Sequence, residues 1–204
     1  MPVLIAQSTV FVVDDDPEFR ESVSLLLESV KLNAEVFVSA EDFVANYHPE
    51  SGGCLVSDVR MPGMSGIELQ RWMIENEIKL PMILVTGHAE VPMAVEAMRA
   101  GAVDFIQKPY SPQQLLERIQ QALRQDKERR RAERADQATQ QLLESLTPRE
   151  REIMDLLLAG GTAQRIGNHL KLSTKTVDFH RRNMLDKMRV DSIVELAKIV
   201  RPRE

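Results

Sequence analysis

Short apolar runs alternate with helical patterns through the first part of the chain. The apolar runs are rich in Val, Ile, Leu or Phe and occupy residues 9–13, 33–38, 53–57, 81–86 and 103–107. The first, third and fourth lack sustained polar alternation, which is typical of strands buried on both faces. Between the runs, apolar residues recur at helical spacing in residues 17–29, 40–47, 65–76, 91–100 and 112–124. These units predict an α/β fold built on a doubly wound parallel sheet, whose ligands bind beyond the carboxyl ends of the strands.

The pattern changes after residue 124. Residues 125–145 are dominated by Gln, Glu, Arg and Ala and offer only a narrow Ala and Leu stripe for burial. High helix propensity with little to bury predicts a solvent-exposed linker helix that extends the fifth one. Residues 146–204 read as four helices, the middle two separated by a short turn, which predicts an all-α helix-turn-helix domain. We therefore predict domains at residues 1–124, 125–145 and 146–204.

Charge is distributed unevenly along the chain. Residues 1–124 carry 9 Lys and Arg against 18 Asp and Glu, a net charge of −9, and residues 125–145 are neutral. Residues 146–204 carry 12 basic and 8 acidic residues, a net charge of +4. An acidic front and a basic tail predict different partners for the two ends, with nucleic acid the default for the basic one. An ordinary solvated surface is the alternative explanation of the basic tail.

Composition also bears on the compartment. A hydrophobic content of 43% and a charged content of 28% are ordinary for a soluble globular protein. Cys54 is the only cysteine, which excludes a disulfide framework and fits a reducing compartment. No segment approaches the roughly 18 apolar residues of a membrane span, and the N-terminus lacks the features of a secretory signal. We therefore predict a cytoplasmic protein that does not associate with membranes.

Four of the predicted strands end on polar residues of distinct chemistry. In chain order these residues are Asp14, Asp15 and Asp16, then Asp58, then Thr86, and finally Lys108. If the strands are parallel, these groups converge at the carboxyl edge of one sheet. Three carboxylates tolerate such proximity only with a cation between them. This geometry decides whether Asp58 can accept a phosphoryl group.

Transfer of a phosphoryl group to a carboxylate needs a nucleophile, a divalent cation and donors aimed at the phosphoryl oxygens. Asp58 is the candidate nucleophile, and Asp14 and Asp15 would help to hold the cation. The turn after Arg60 would leave its backbone carbonyl free as a further ligand. Mg²⁺ (or Mn²⁺) is the expected ion, because a few carboxylates with retained waters is the usual magnesium site. His88 is not favoured as a metal ligand, since no second His or Cys shares its segment.

Lys108 and Thr86 complete the predicted constellation. Lys108 supplies a point positive charge, and the hydroxyl of Thr86 can donate to the new phosphoryl group. Each residue alone has an ordinary structural explanation, because an Asp at a strand end is usually a turn or N-cap residue. Four such groups at four strand ends favour the functional interpretation.

The motifs around these residues carry a family resemblance. They are, in order, Val-Val-Asp-Asp-Asp, Ser-Asp-Val-Arg-Met-Pro-Gly-Met-Ser-Gly, Val-Thr-Gly-His and Asp-Phe-Ile-Gln-Lys-Pro. With this order and spacing, residues 8–124 resemble the receiver domain of bacterial two-component response regulators. The resemblance implies a flavodoxin-like five-stranded sheet of order 2-1-3-4-5. It also implies site roles, with Asp14 and Asp15 as the acidic pair, Asp58 as phosphoacceptor, Thr86 as switch hydroxyl and Phe105 as switch aromatic.

The helix predicted at residues 174–188 has two different faces. On a helical wheel its apolar side gathers Val177, His180, Met184, Leu185 and Met188, and should face a core. Its opposite side gathers Lys175, Asp178, Phe179, Arg182 and Asp186. Such a surface suits a DNA major groove, where Arg pairs with guanine, Asp accepts from cytosine and Phe contacts a thymine methyl. Arg181 falls nearer the apolar side, so its stem is expected to pack while its guanidinium reaches a phosphate.

The same end of the chain resembles the LuxR-type DNA-binding domain. The resemblance rests on Ser-Leu-Thr-Pro-Arg-Glu-Arg-Glu and on Leu-Ser-Thr-Lys-Thr-Val-Asp-Phe-His-Arg-Arg-Asn-Met-Leu-Asp-Lys-Met. Together with the receiver it makes the chain similar to the NarL/FixJ family, in its FixJ-like branch. The sequence departs from the family pattern at two predicted DNA contacts. A phosphate contact of the second helix is lost or moved to Arg165, and Asp178 stands where some members have a basic residue. The predicted DNA contacts are Arg165, Thr174, Lys175, Thr176, Asp178, Phe179, Arg181, Arg182 and Lys187.

These observations predict a phosphorylation-activated transcription regulator that is not a turnover enzyme, although it assists its own phosphorylation and dephosphorylation. A sensor histidine kinase would phosphorylate Asp58, and the phosphorylated homodimer would bind double-stranded DNA. One alternative is an aspartyl-phosphate hydrolase of the haloacid-dehalogenase kind, with its nucleophile among residues 14–16. That class wants an Asp-x-Asp next to a Thr and paired acids downstream, but only Asp58 appears there and the sequence shows no substrate cap. Another alternative is a phosphate sink whose tail binds protein.

Overall fold

A five-stranded parallel sheet forms the centre of the first part of the chain. In the computed structural model, which describes residues 8–87 and 91–200, the strands run in the order β2-β1-β3-β4-β5. Their bounds are β1 (Thr9–Val13), β2 (Asn33–Phe37), β3 (Gly53–Asp58), β4 (Met82–Thr86) and β5 (Asp104–Gln107). Every residue of β3 and β4 is buried, as expected for central strands covered on both faces. The predicted sheet and its order are confirmed, whereas His88 lies outside the described residues.

Helices cover both faces of this sheet. They are α1 (Pro17–Ser29), α2 (Ala40–Asn46), α3 (Gly66–Glu75), α4 (Val91–Arg99) and α5 (Pro112–Glu144). Side chains of β1 point alternately to two cores, because successive residues of a strand face opposite sides. Phe11 joins a core with Phe43 and Leu69, while Val10 joins another with Leu27. The sheet therefore lies between two apolar layers.

Helix α5 continues without a break far beyond the predicted end of the fifth helix. Its 33 residues confirm that a long helix leads out of the sheet domain. The prediction that the extension is solvent-exposed was wrong at Asp126, which is 2% exposed. Its carboxylate accepts a hydrogen bond from the backbone N–H of Gly53 at 2.9 Å. The charge is buried because it is partnered, which the sequence pattern could not reveal.

Two arginines of α5 complete this buried cluster. Arg129 pairs with Asp126, and Arg130 Nε lies 2.9 Å from Asp126 Oδ2. The Arg130 guanidinium also donates to backbone carbonyls before β3, at 3.1 Å for Glu50 and 2.5 Å for Ser51.

The chain divides into two compact units, at residues 1–130 and 131–204. The division at residues 124 and 145 stays a prediction.

The second unit contains the last four helices that the structure describes within residues 131–200. They are α6 (Pro148–Leu158), α7 (Ala163–Leu170), α8 (Thr174–Met188) and α9 (Ile193–Val200). Hydroxyl N-caps begin three of them, at Thr147, Thr162 and Ser173, each satisfying a backbone N–H of the first turn. The predicted helical domain is thereby confirmed. Among the described residues, no helix is both long enough and apolar enough to span a membrane.

Candidate functional sites

The strands deliver the predicted polar groups to one edge of the sheet. Asp58 is the last residue of β3 and Thr86 is the last of β4, while Asp14 directly follows β1. All three side chains belong to the buried polar set, with Asp14 and Thr86 each 1% exposed and Asp58 7% exposed. Lys108 follows β5 and begins a cis peptide bond to Pro109. The parallel topology thus converts four distant sequence positions into one polar edge.

The ammonium group of Lys108 links two carboxylates at this edge. Lys108 Nζ lies 2.9 Å from Asp58 Oδ1 and 3.0 Å from Asp14 Oδ2. It also lies 3.8 Å from the centre of the Phe19 ring, within the range of a cation–π contact. Charge-assisted hydrogen bonds of this length are strong in a partly dry site. Lys108 is therefore fixed beside the candidate nucleophile.

Proton affinities at this edge reflect the competition between burial and pairing. Burial raises the pKa of Asp14, although hydrogen bonds from the Asp16 N–H and from Lys108 oppose the rise. Burial would lower the pKa of Lys108, but hydrogen bonds to Asp58 and Asp14 outweigh it and the pKa is raised. Burial, and then the charges of Asp14 and Asp58, raise the pKa of Tyr110 to about 12. The edge thus keeps Lys108 charged and carries an excess of negative potential.

The backbone around Asp58 is tightly constrained. The Arg60 N–H donates to Asp58 Oδ2 at 2.6 Å, whereas Lys108 contacts the other oxygen, so both oxygens of the carboxylate are held. The Ser57 hydroxyl donates to the Asp58 carbonyl at 2.9 Å. A Cβ at Gly66 would lie 2.2 Å from that same carbonyl oxygen, so only glycine fits where α3 begins. The loop from β3 to α3 is held close above the candidate phosphoacceptor.

The three consecutive aspartates after β1 have different surroundings. Asp14 is buried, whereas Asp15 is exposed, as expected for neighbours on an extended chain. Asp16 caps α1, because its Oδ1 accepts from the Glu18 N–H at 2.9 Å. Among the described residues, no group of three or more His, Cys, Asp or Glu side chains is arranged to hold a metal ion. The expected cluster of three carboxylates is not assembled in this structure, and an ammonium group lies between two of them instead.

Phe105 and Thr86 occupy adjacent strands. Phe105 pairs in register with Leu84 of β4, and its half-buried ring packs against the core that contains Phe11. The Thr86 backbone carbonyl accepts from the Lys108 N–H at 2.7 Å, which ties the end of β4 to the residue that follows β5. The roles of Thr86 and Phe105 as switch residues stay predictions.

Helix α8 presents the face that the sequence predicted. Val177, Met184 and Met188 are buried against the helical core. The side chains exposed to solvent on this helix include Thr174, Lys175, Asp178, Phe179, Arg181 and Arg182, with Phe179 61% exposed. Arg181 was expected nearer the core, but its side chain is exposed as well. Arg165 on α7 is also exposed, so these side chains are available to a partner.

Two predicted DNA contacts are already engaged within the protein. The hydroxyl groups of Thr176 and Ser173 share a hydrogen bond of 2.8 Å. Lys187 Nζ lies 2.7 Å from Glu150 Oε2, and the Glu150 side chain is only 4% exposed. The sequence pattern does not indicate this pairing, since the two residues lie 37 positions apart in the chain. The DNA contacts of Thr176 and Lys187 stay predictions.

Two family models match this chain. Residues 10–120 match the response regulator receiver domain, and residues 144–200 match the bacterial regulatory proteins of the luxR family. A receiver followed by a LuxR-type DNA-binding domain defines a phosphorylation-activated transcription regulator. This is the class of protein to which the fold and the polar edge correspond.

Similar proteins and structures cover nearly the whole chain. The transcriptional regulatory protein FixJ of Bradyrhizobium diazoefficiens is 38% identical over 93% of both chains. Nodulation protein W of the same species is 38% identical over 95% of this chain and 85% of its own. The solved structure of the response regulator StyR has a TM-score of 0.91 at 42% identity, covering 96% of this chain and 98% of that one. The chain belongs to the NarL/FixJ family of response regulators, in its FixJ-like branch.

Proposed function

We propose that Asp58 accepts a phosphoryl group from a histidine of a sensor histidine kinase. One Asp58 carboxylate oxygen would attack phosphorus, forming an acyl phosphate as the bond to the imidazole nitrogen breaks and the imidazole leaves. The contact of Lys108 Nζ with Asp58 Oδ1, at 2.9 Å, is the observation that carries this proposal. A fixed cation at that position stabilises charge that develops on the transferred group. A cytoplasmic location fits this proposal, because Cys54 is a free thiol and the proposed phosphoryl donor is a kinase.

A divalent cation would assist this transfer. Asp14, Asp15, Asp58 and the Arg60 carbonyl would hold Mg²⁺ (or Mn²⁺), which prefers oxygen ligands of this kind. The donor chemistry fits, because two carboxylates already face one cationic group, and Asp15, which follows Asp14 in the chain, has an exposed side chain. When bound, the ion would neutralise charge on the carboxylates and on the phosphoryl oxygens. The contacts of Lys108 are expected to rearrange when this ion binds.

The phosphoryl group would act as a switch. It adds roughly −1.5 to −2 charges beside Lys108 and Thr86. Thr86 would move toward the phosphoryl group, and Phe105 would rotate inward into the space left behind. Shifting a two-state equilibrium from about 1:99 to 99:1 requires about 5.5 kcal/mol of differential stabilisation. A new charge paired with Lys108 at a buried edge supplies a large part of that difference.

Helix α4 offers the surface for a phosphorylation-dependent homodimer. Three apolar side chains on this helix are exposed, namely Val91 at 78%, Val95 at 43% and Met98 at 45%. Only Ala97 of the helix is buried among the residues described for it, so α4 is held to the domain by few apolar contacts. A helix held this way can move at a small cost in free energy. Covering its apolar surface in a dimer would favour the activated position.

The second unit would bind double-stranded DNA in a major groove. Arg182 would pair with guanine, Asp178 would accept from cytosine, and Phe179 would contact a thymine methyl. The side chains of Arg165, Thr174, Lys175 and Arg181 would contact phosphates and fix the register. A dimer would place two α8 helices about one turn of DNA apart.

Acetyl phosphate, a small-molecule phosphoryl donor, tests the proposal without a kinase. We expect the wild-type chain with Mg²⁺ and acetyl phosphate to shift toward dimers in sedimentation, and Asp58→Asn to abolish the shift. Asp16→Asn is the matched control, because Asn caps a helix as well as Asp does. An Asp58→Asn variant that dimerises like the wild type would contradict the proposal.

A further inference from the structure

We infer that Lys187 is a positioning residue of the DNA-reading helix rather than a DNA contact. It binds the Glu150 carboxylate and lies within reach of the Ser145 backbone carbonyl, at 2.7 and 3.4 Å. These contacts would hold the C-terminal end of α8 against the turn from which α6 begins. The inference rests on the proposed DNA-binding function and changes which residues of α8 carry it.

The position of Lys187 on the helix separates it from the reading face. Lys187 follows Asp178 by nine residues, which at 3.6 residues per turn amounts to about two and a half turns. Its side chain therefore leaves α8 on the side opposite Asp178. Arg182, five residues before Lys187, also projects from a well-separated direction. A helix that presents Asp178 to a groove directs Lys187 back into the protein.

The acceptor of this ammonium group is already part of a helix cap. Glu150 Oε2 accepts from the Thr147 backbone N–H at 2.9 Å, and the Glu150 N–H donates to Thr147 Oγ1 at 3.2 Å. The second contact of Lys187, with the Ser145 carbonyl, lies in the same turn. An ammonium group has three donors, and these two acceptors use two of them. Lys187 thereby joins the end of α8 to a rigid capping box.

Burial makes this pair costly to break. Glu150 is 3% exposed, so an unpartnered carboxylate would lose hydration without compensation. Burial tends to raise the pKa of Glu150, but hydrogen bonds from Lys187 and Thr147 outweigh it and the pKa is lowered. At neutral pH the Glu150 side chain is therefore an ionised acceptor for this contact. The ammonium group would have to leave this carboxylate to reach a phosphate.

The opposite end of α8 is fixed independently. Ser173 Oγ accepts from the Thr176 N–H at 3.1 Å, which caps the first turn. The Leu172 N–H donates to the Gly167 carbonyl at 2.9 Å, and a Cβ at Gly167 would lie 2.8 Å from the Leu172 carbonyl. The short turn between α7 and α8 is therefore held closely. With Lys187 at the far end, both ends of the reading helix are anchored.

The salt dependence of DNA binding distinguishes a positioning residue from a phosphate contact. Each phosphate contact contributes about 0.9 to the slope of log affinity against log salt. The full-length chain would be tested on a duplex that the wild type selects from a random-sequence pool, at several salt concentrations. Circular dichroism at the assay temperature would establish that each variant is folded. We expect Lys187→Met to weaken binding roughly tenfold at every salt concentration, with the slope unchanged.

Glu150→Gln is the decisive variant, because it retains a capping side chain but removes the negative charge that pairs with Lys187. We expect it to weaken binding with an unchanged slope, as Lys187→Met does, while Lys187→Arg recovers most of the affinity. Lys175→Met, a change of the same type on the exposed face, should lower the slope instead. A lowered slope for Lys187→Met, or undiminished affinity for Glu150→Gln, would overturn the inference. Failure of the wild type to select any duplex would instead contradict the proposed function.

Discussion

The polar edge of the sheet and the exposed face of α8 use charge in opposite ways. At the edge, Asp14 and Asp58 are buried and share one ammonium group from Lys108. On α8, side chains such as Asp178 and Arg182 are exposed to solvent and available to a partner. At the sheet edge, two buried negative charges share a single positive charge. A phosphoryl group on Asp58 would change this balance of charge. The exposed charges of α8 cost little free energy in the unbound protein. They contribute free energy only when a partner binds.

This difference also determines what removal of a single charge should do. A substitution at the buried edge changes the internal balance of the receiver, whereas one on the exposed face changes only the encounter with a partner. The buried cluster around Asp126 provides a third case, in which charge serves stability alone.

Lys108→Ala should have the largest effect on signalling. It leaves two buried carboxylates without their shared cation and removes the charge expected to pair with the phosphoryl group. We expect acetyl phosphate to cause no rise in the DNA affinity of this variant, measured by gel shift. Lys127→Ala, an exposed change on α5, should respond like the wild type. If acetyl phosphate raised the DNA affinity of Lys108→Ala as much as that of the wild type, the Lys108 ammonium group would not be needed for activation.

Asp126→Ala should destabilise the receiver without touching the phosphoacceptor edge. Breaking a buried ion pair by removing one partner costs about 3 kcal/mol or more, and here two arginines and a backbone N–H lose their acceptor. Thermal or urea unfolding of the full chain, followed in the receiver, would measure the loss. Asp136→Ala is the matched control, since Asp136 is exposed on the same helix. Equal stability of the two variants would argue against the buried cluster as a stabilising element.

Arg182→Ala should weaken DNA binding and leave folding unchanged. Loss of an arginine that pairs with guanine costs roughly 1–3 kcal/mol and relaxes the preference for that base. Competition between the selected duplex and its single-base variants measures both effects. Arg124→Ala, the same change on an exposed receiver position, serves as the control. Unchanged affinity and base preference would remove Arg182 from the reading face.

Asp14→Asn should stabilise the protein by a small amount. The pKa of Asp14 is raised in the folded protein above its ordinary value of 3.8, so its contribution to stability is present below that pH and is lost as pH rises. At neutral pH the Asp14 carboxylate therefore opposes folding, and its removal should raise the unfolding temperature more at pH 8 than at pH 4. Asp15→Asn is the matched control, because it is the same substitution at the exposed neighbouring residue. If Asp14→Asn unfolded at a lower temperature than the wild type at pH 8, the buried Asp14 charge would not oppose folding, and the prediction would be contradicted.

The sequence predicted most of the sheet because its signals are local. Apolar runs marked the strands, and their polar ends placed Asp58 and Lys108 at one edge, where they are 2.9 Å apart. The exact partner of each charge was less predictable. That Lys108 would lie between two carboxylates depends on side-chain geometry, which spacing along the chain does not encode.

The partners of charged residues in helices were the feature that the sequence predicted least well. Asp126 lies in a segment whose polar composition predicts exposure, and nothing in the sequence pattern indicates that Lys187 pairs with Glu150. Their partners, Gly53 and Glu150, are 73 and 37 positions away in the chain. Periodicity detects apolar burial but not a charge that is buried because a distant group satisfies it. A heptad or helical wheel contains no information about such pairs.

The most direct test of the account is to locate the phosphoryl group on the protein. Treatment with acetyl phosphate and Mg²⁺, then reduction with borohydride, converts an aspartyl phosphate to homoserine, which peptide mass mapping can identify. We expect reduction at Asp58 in the wild type and at no residue in Asp58→Asn. Reduction at a residue among 14–16 would instead support an aspartyl-phosphate hydrolase and would contradict the central claim.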